Sequence, residues 1–159
     1  MIAQNEKFYN ANIQSHTDYC NTVWGSVPDT VQIFKLQKRA VRLITDEHYR
    51  AHTKILFPKL NIMPIHDRVN YRLASTVHKA LLQQTPAYIT SMFERETRTA
   101  TRNMRENALK VPKRRLDVSR RGLAYKGPIL YNELNSNITN APTIELFRTR
   151  YMAEYSGRF

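Results

Sequence analysis

Two residue pairs in the first third of the chain have the types and spacing of metal ligands. His16 and Cys20 are four apart, as are His48 and His52. An i, i+4 pair places both side chains on one side of a helix. If the two segments met in space, they would offer four nitrogen and sulfur ligands to a zinc ion. Strong zinc signals have closely spaced cysteine pairs, and Cys20 is the only cysteine. His16 and Cys20 therefore read as packing residues and His48 and His52 as the border of a polar turn, so no metal or cofactor is expected. As a thiol among aromatic residues, Cys20 reads as buried and inert. Two-metal nucleotidyl transfer needs clustered carboxylates. The acids here are sparse, mostly beside basic residues, with no Asp-Asp pair. Gly-x-Ser-x-Gly elbows and phosphate-cradling glycine loops are also missing, and the chain has only four glycines.

The chemistry that is abundant is positive charge. Of 159 residues, 25 are Lys or Arg against 13 Asp or Glu, a formal charge of +12. Such a field attracts polyanions, nucleic acid before anionic membrane. Lys35, Lys38, Arg39 and Arg42 follow an i, i+3, i+4, i+7 spacing, which gathers four like charges on one helical face. Asp29 and Asp46 lie too far along to neutralise them. Arg68, Arg72 and Lys79 make a second, narrower stripe. Between Arg95 and Lys126, eleven Lys and Arg stand against three acids, a net of +8. That tract includes Lys113, Arg114, Arg115, Arg120, Arg121 and Lys126. The expected role of these cations is phosphate neutralisation rather than base reading. Trp24, Tyr19 and Phe8 have rings suited to stacking on bases, but their helical spacing favours the core.

The elements that must position these groups are helices. Phe8, Tyr9, Ile13, His16, Tyr19, Cys20, Val23 and Trp24 predict a first helix over about 6–24, ended by Gly25, Ser26 and Pro28. A second runs over about 28–45, with Asp29 placed as its cap. Its predicted core face is Ile33, Leu36, Ala40, Leu43 and Ile44, flanked by Phe34 and Val41. A short helix over 53–57 is expected to stop at Pro58. Pro64 suits the first position of a third long helix, to about Gln83, packing through Ile65, Val69, Leu73, Val77, Ala80 and Leu81. A short helix over 86–93 follows. The early basic tract has few apolar anchors and reads as mobile, with a short extended segment at Leu109, Lys110 and Val111. Packing resumes at Leu123, Tyr125, Ile129, Leu130, Tyr131, Leu134 and Ile138. A last helix from about Pro142 carries Ile144, Phe147, Tyr151 and Tyr155. No apolar run reaches membrane-spanning length. The lone cysteine allows no intramolecular disulfide, which suggests an intracellular setting, nucleus or cytoplasm.

Several blocks resemble the region beyond the palm of LINE-like, non-LTR retrotransposon reverse transcriptases of the jockey and CR1 kind. They are Ile13-Gln14-Ser15-His16-Thr17-Asp18-Tyr19-Cys20-Asn21-Thr22-Val23-Trp24-Gly25 and Leu36-Gln37-Lys38-Arg39-Ala40-Val41-Arg42-Leu43-Ile44. Leu56 to Ile65, Val77 to Leu81, Pro86 to Ile89, Val111 to Lys113 and Gly127 to Leu134 resemble later segments in order. In the terminal block, Tyr131, Asn132, Glu133, Leu134 and Asn135 stand where the family usually shows Trp-Asn-x-Leu-Pro. The resemblance implies a helical thumb and post-thumb region that grips a template–primer duplex through phosphates. It also implies a chain truncated past the catalytic centre, because the family's polymerase aspartates lie upstream in the palm.

The expectation is thus an all-α fold: an irregular helical bundle over 1–93, a basic, partly extended arm over 94–122 and a C-terminal helical hairpin over 123–159. RNA or an RNA–DNA duplex is the expected partner, with no small-molecule substrate, no membrane and no catalysis by this chain. The alternative is a helical interaction module that packs on polymerase domains or a partner subunit through its apolar surfaces.

Overall fold

The computed structural model describes residues 2–96 and 108–156, apart from the side chains of residues 2, 3, 5 and 6. The early basic tract with Arg98, Arg102 and Arg105, expected to be mobile, lies outside the described residues. The fold is all-α. It comprises α1 (Ile2–Tyr9), a π-helical segment (Asn10–Gln14), α2 (Ser15–Asp18), α3 (Asn21–Trp24), α4 (Thr30–Thr45), α5 (Leu56–Lys59), α6 (Ile65–Leu81), α7 (Ala87–Thr90), α8 (Asp117–Arg121), α9 (Leu123–Glu133), α10 (Ser136–Thr139) and α11 (Ile144–Ser156). Two compact units, 1–69 and 70–158, divide within α6.

In the first unit, the single first helix expected over 6–24 is broken. The π-helical segment shifts the register, and Cys20 turns the chain with a left-handed φ of 49°. A continuous 3.6-residue period therefore misplaces the side chains beyond it. Tyr9 is buried, but Phe8, Tyr19 and Val23 are exposed, as are His16 and Cys20. Neither Phe8 nor Tyr19 belongs to the core, and the Cys20 thiol is not the buried group expected. Trp24 is half-buried, with its indole N–H donating to the Tyr19 carbonyl at 2.7 Å. Gly25 has to be glycine, since a Cβ there would overlap a methyl of Val69 and the Asn21 carbonyl oxygen.

The helix α4 starts as expected, but Asp29 makes no side-chain cap bond. Thr30 instead donates to the carbonyls of Val27 (2.6 Å) and Gly25 (3.1 Å) and ties the helix to the preceding turn. The face that packs is also rotated from expectation. Thr30, Gln37 and Val41 are buried, whereas Leu36 is 61% and Leu43 80% exposed. The reason is the amide of Gln37. It donates to Tyr9 Oη at 2.8 Å and to the Met63 carbonyl at 3.1 Å, and it accepts from the Ile65 N–H at 2.9 Å. A buried amide with both donors and its acceptor engaged sets the helix rotation against a greasier alternative. Around it lie Tyr9, Val41, Leu56, Phe57, Leu60 and Ile62. The helix α5 runs through Pro58, because a proline in the first turn removes no intrahelical bond.

Three stops in this glycine-poor chain use other residues in left-handed conformation: Asp46 (φ 55°), Asn61 (φ 50°) and Gln83 (φ 57°). Each is followed by a residue whose N–H returns five positions: Glu47 to Arg42, Ile62 to Phe57, and Gln84 to Lys79.

In the second unit, the 3.6-residue pattern of α6 is realised. Leu73, Ala74, Val77 and Ala80 are buried, with Leu81 at the edge of the same core. Phe93, Tyr131, Leu134, Ile138, Ile144 and Phe147 complete that core. The ring of Tyr151 lies 5.2 Å from that of Tyr71, and the ring of Phe147 lies 4.3 Å from that of His78, so α11 runs antiparallel to this part of α6. The expected extended segment is present at Leu109, which pairs antiparallel with Arg95. The Asn132 side chain of α9 accepts from the Leu109 N–H and donates to its carbonyl, both at 2.8 Å.

Candidate nucleic-acid interface

The α4 cations are the best assembled of the expected site residues. Lys35, Lys38, Arg39 and Arg42 line one open groove of about 440 Å³ with Gln32 and Leu36. No acid lines it, and α4 contains none from Thr30 to Thr45. Lys35 and Arg39 are exposed; Lys38 and Arg42 are half-buried. Lys38 Nζ sits 4.2 Å from the Phe34 ring centroid, a cation–π contact that steadies it. Arg42 Nε donates to the Ala51 carbonyl at 2.9 Å. These two are held in place, and the other two are free to follow a ligand.

The second stripe is divided, with Arg68 in the first unit and Arg72 and Lys79 in the second. Arg68 is engaged in the first unit by Asp18, through Nε to Oδ1 at 2.9 Å and Nη2 to Oδ2 at 2.6 Å. That two-pronged pair offsets its charge and fastens α2 to the start of α6. Arg72 and Lys79 instead open into a cleft of the second unit with Arg148 of α11. Arg148 stood outside the expected site. Nothing in sequence spacing links it to α6, and only tertiary packing does.

The described arm is less uniform than its charge implies. Lys113, Arg114, Arg115 and Arg120 are exposed, and Arg120 Nε donates to the Arg114 carbonyl at 3.0 Å. Arg121 pairs with Asp117 one turn back in α8. Lys126 is half-buried, and loss of solvent pushes its pKa below the usual lysine range. Lys110 lies 3.5 Å from Glu94.

Among the described residues, no three of His, Cys, Asp and Glu come together as a metal site. Among the same residues, no helix is long and apolar enough to cross a membrane. The second unit holds a buried histidine that the sequence did not single out. His78 is 2% exposed, and its Nδ1 lies 2.8 Å from Tyr131 Oη. Burial lowers the His78 pKa, opposed in part by the backbone of Ala141 and Thr143, and burial pushes Tyr131 up to about 12. Enclosed in a stack with Phe147, the pair belongs to the core rather than to an open site.

No family model, curated protein or solved structure matches the chain.

Proposed function

We propose that this chain binds RNA or an RNA–DNA duplex through its phosphates, as a thumb and post-thumb piece of a LINE-like reverse transcriptase, and carries out no catalytic step itself. The observation that carries the reading is the α4 groove, where four cations from a single helix face line one open surface without a carboxylate. Each neutralised phosphate releases condensed counterions, so a row of such contacts gives affinity without sequence reading. The ordered blocks that resemble that family, including Leu36 to Ile44 in α4 itself, support the same reading. The test is duplex affinity against salt. Log affinity should fall linearly with log salt, and Lys35→Gln with Arg39→Gln should reduce the slope by about two. Both residues are exposed, so the variant keeps the fold. No affinity at low salt, or an unchanged slope, would remove α4 from the interface.

A second reading has its own observation. Leu36 and Leu43 of α4 are exposed, and Phe8, Ile13, Ala40, Leu43 and Ile44 line an apolar groove between α1 and α4. An uncovered apolar stripe of this kind marks protein contact. The basic face alongside it selects a partner helix whose apolar stripe is edged by acids, and it disfavours a second copy through like-charge repulsion. A synthetic Leu/Glu amphipathic helix should bind and a Leu/Lys counterpart should not. Leu36→Asp with Leu43→Asp should abolish that binding; concentration-dependent dimerisation would assign the stripe to self-association.

A further inference from the structure

The cleft between α6 and α11 in the second unit has the composition of an anion site. Its lining is Tyr71, Arg72, Ser75, Thr76, Lys79 and Arg148, and it measures about 50 Å³. Three of the six lining residues are cations and none is an acid. Positions 72, 75, 76 and 79 follow the i, i+3, i+4, i+7 rule, so one face of α6 supplies one wall. Arg148 supplies the facing charge from α11, and the contact of Tyr71 with Tyr151 holds the two helices together there.

Ser75 carries the second, independent observation. It is 6% exposed, and its Oγ has no hydrogen-bond partner among the described residues. A helical serine or threonine usually settles its hydroxyl on the carbonyl four residues back. Thr76 does this, donating to the Arg72 carbonyl at 2.9 Å. Ser75 does not, which leaves a buried donor uncommitted in the wall of a cationic cleft. Buried polar groups are rarely left so. We propose that this cleft binds a phosphate group, with Lys79 and Arg148 supplying charge and the Ser75 hydroxyl a hydrogen bond. A guanidinium fork matches two phosphate oxygens at once, and the ammonium adds a point charge. The phosphate belongs to a nucleic-acid backbone or to a free phosphomonoester, and both present the same oxygens. The site stands on the second unit alone and does not depend on the α4 groove.

The experiment is a titration of the full chain, followed through the backbone amide NMR signals of Ser75, Thr76 and Lys79 at constant ionic strength. One arm uses inorganic phosphate against chloride. The other uses a 12-base-pair RNA duplex without terminal phosphates. Saturable shifts at these amides in either arm are the expected result: phosphate alone assigns a free phosphate ligand, and the duplex as well assigns the backbone. Lys79→Gln and Arg148→Gln should each weaken the response by about tenfold, and Ser75→Ala by about threefold. Thermal melting confirms that the variants fold. No saturable shift in either arm, or shifts unchanged in the Lys79→Gln, Arg148→Gln double variant, would overturn the site. The Lys35→Gln, Arg39→Gln variant separates the two interfaces. If duplex binding fails through α4 while the phosphate shifts persist, this site stands and only the α4 reading falls.

Discussion

Asn132 holds Leu109 by both of its backbone polar groups, accepting from the N–H and donating to the carbonyl at 2.8 Å each. The side-chain amide thus serves as a one-residue strand edge and docks the middle of the arm onto α9. Leu109 is thereby seated 3% exposed in the second core. Asn132→Ala should cost about 2 kcal/mol, two hydrogen bonds lost at a partly buried site. Asn132→Asp should cost a comparable amount, because a carboxylate has no hydrogen to donate to the carbonyl. Urea denaturation of the two variants checks this, and a change below about 0.5 kcal/mol would mean that the arm is held elsewhere.

The stability of the second unit should fall at both ends of the pH range. The folded pKa of His78 lies below its unfolded value near 6.5, so the unfolded chain takes up a proton first as pH drops. Its stabilising contribution is present above about pH 6.5 and is lost as pH falls through the folded value. Tyr131 works in the opposite direction. Its folded pKa is pushed up to about 12, so its contribution is complete below the unfolded value and is lost as pH rises from about 10 towards 12. Thermal melts across pH should trace a plateau with two falling limbs. His78→Gln should flatten the acid limb; an acid limb that persists would assign it to carboxylates.

Gln83 ends α6 in left-handed conformation, where a side chain costs about 1–2 kcal/mol relative to glycine. Part of that gain is cancelled by glycine's freedom in the unfolded chain. Gln83→Gly should therefore stabilise by about 0.5–1 kcal/mol, read as a higher denaturation midpoint. Destabilisation would show that the side chain carries a contact outweighing the backbone strain.

Gly25→Ala should act in the other direction. The added methyl meets Val69 and the Asn21 carbonyl, and overpacking of this kind costs about 1–3 kcal/mol. Pairing it with Val69→Ala should restore part of the loss; additive losses would locate the strain at the Asn21 carbonyl instead.

The helical architecture could be read from the sequence wherever one apolar face meets one core. In α6, Ile65, Val69, Leu73, Val77 and Ala80 are all buried, as their spacing predicts. The period misled in α4, where the greasier Leu36 and Leu43 point outward because Gln37 finds three partners inside. No hydrophobicity pattern registers a polar residue that is buried for its hydrogen bonds. The first helix misled for a different reason, since a π-helical segment and a left-handed Cys20 leave no compositional trace. The charge pattern identified the four α4 cations as a group. It could not anticipate that Asp18 would take up Arg68, or that Arg148 would stand opposite Lys79, because both depend on distant segments meeting.

Gln37 has a consequence for how the first unit opens. Its amide touches α1 through Tyr9, the loop before α6 through Met63 and the head of α6 through Ile65, so none of these can fray without orphaning a buried group on the others. Their openings are therefore coupled into a single event. Hydrogen exchange at the Ile65 amide should proceed only at the pace of that whole-unit opening, with no faster local route.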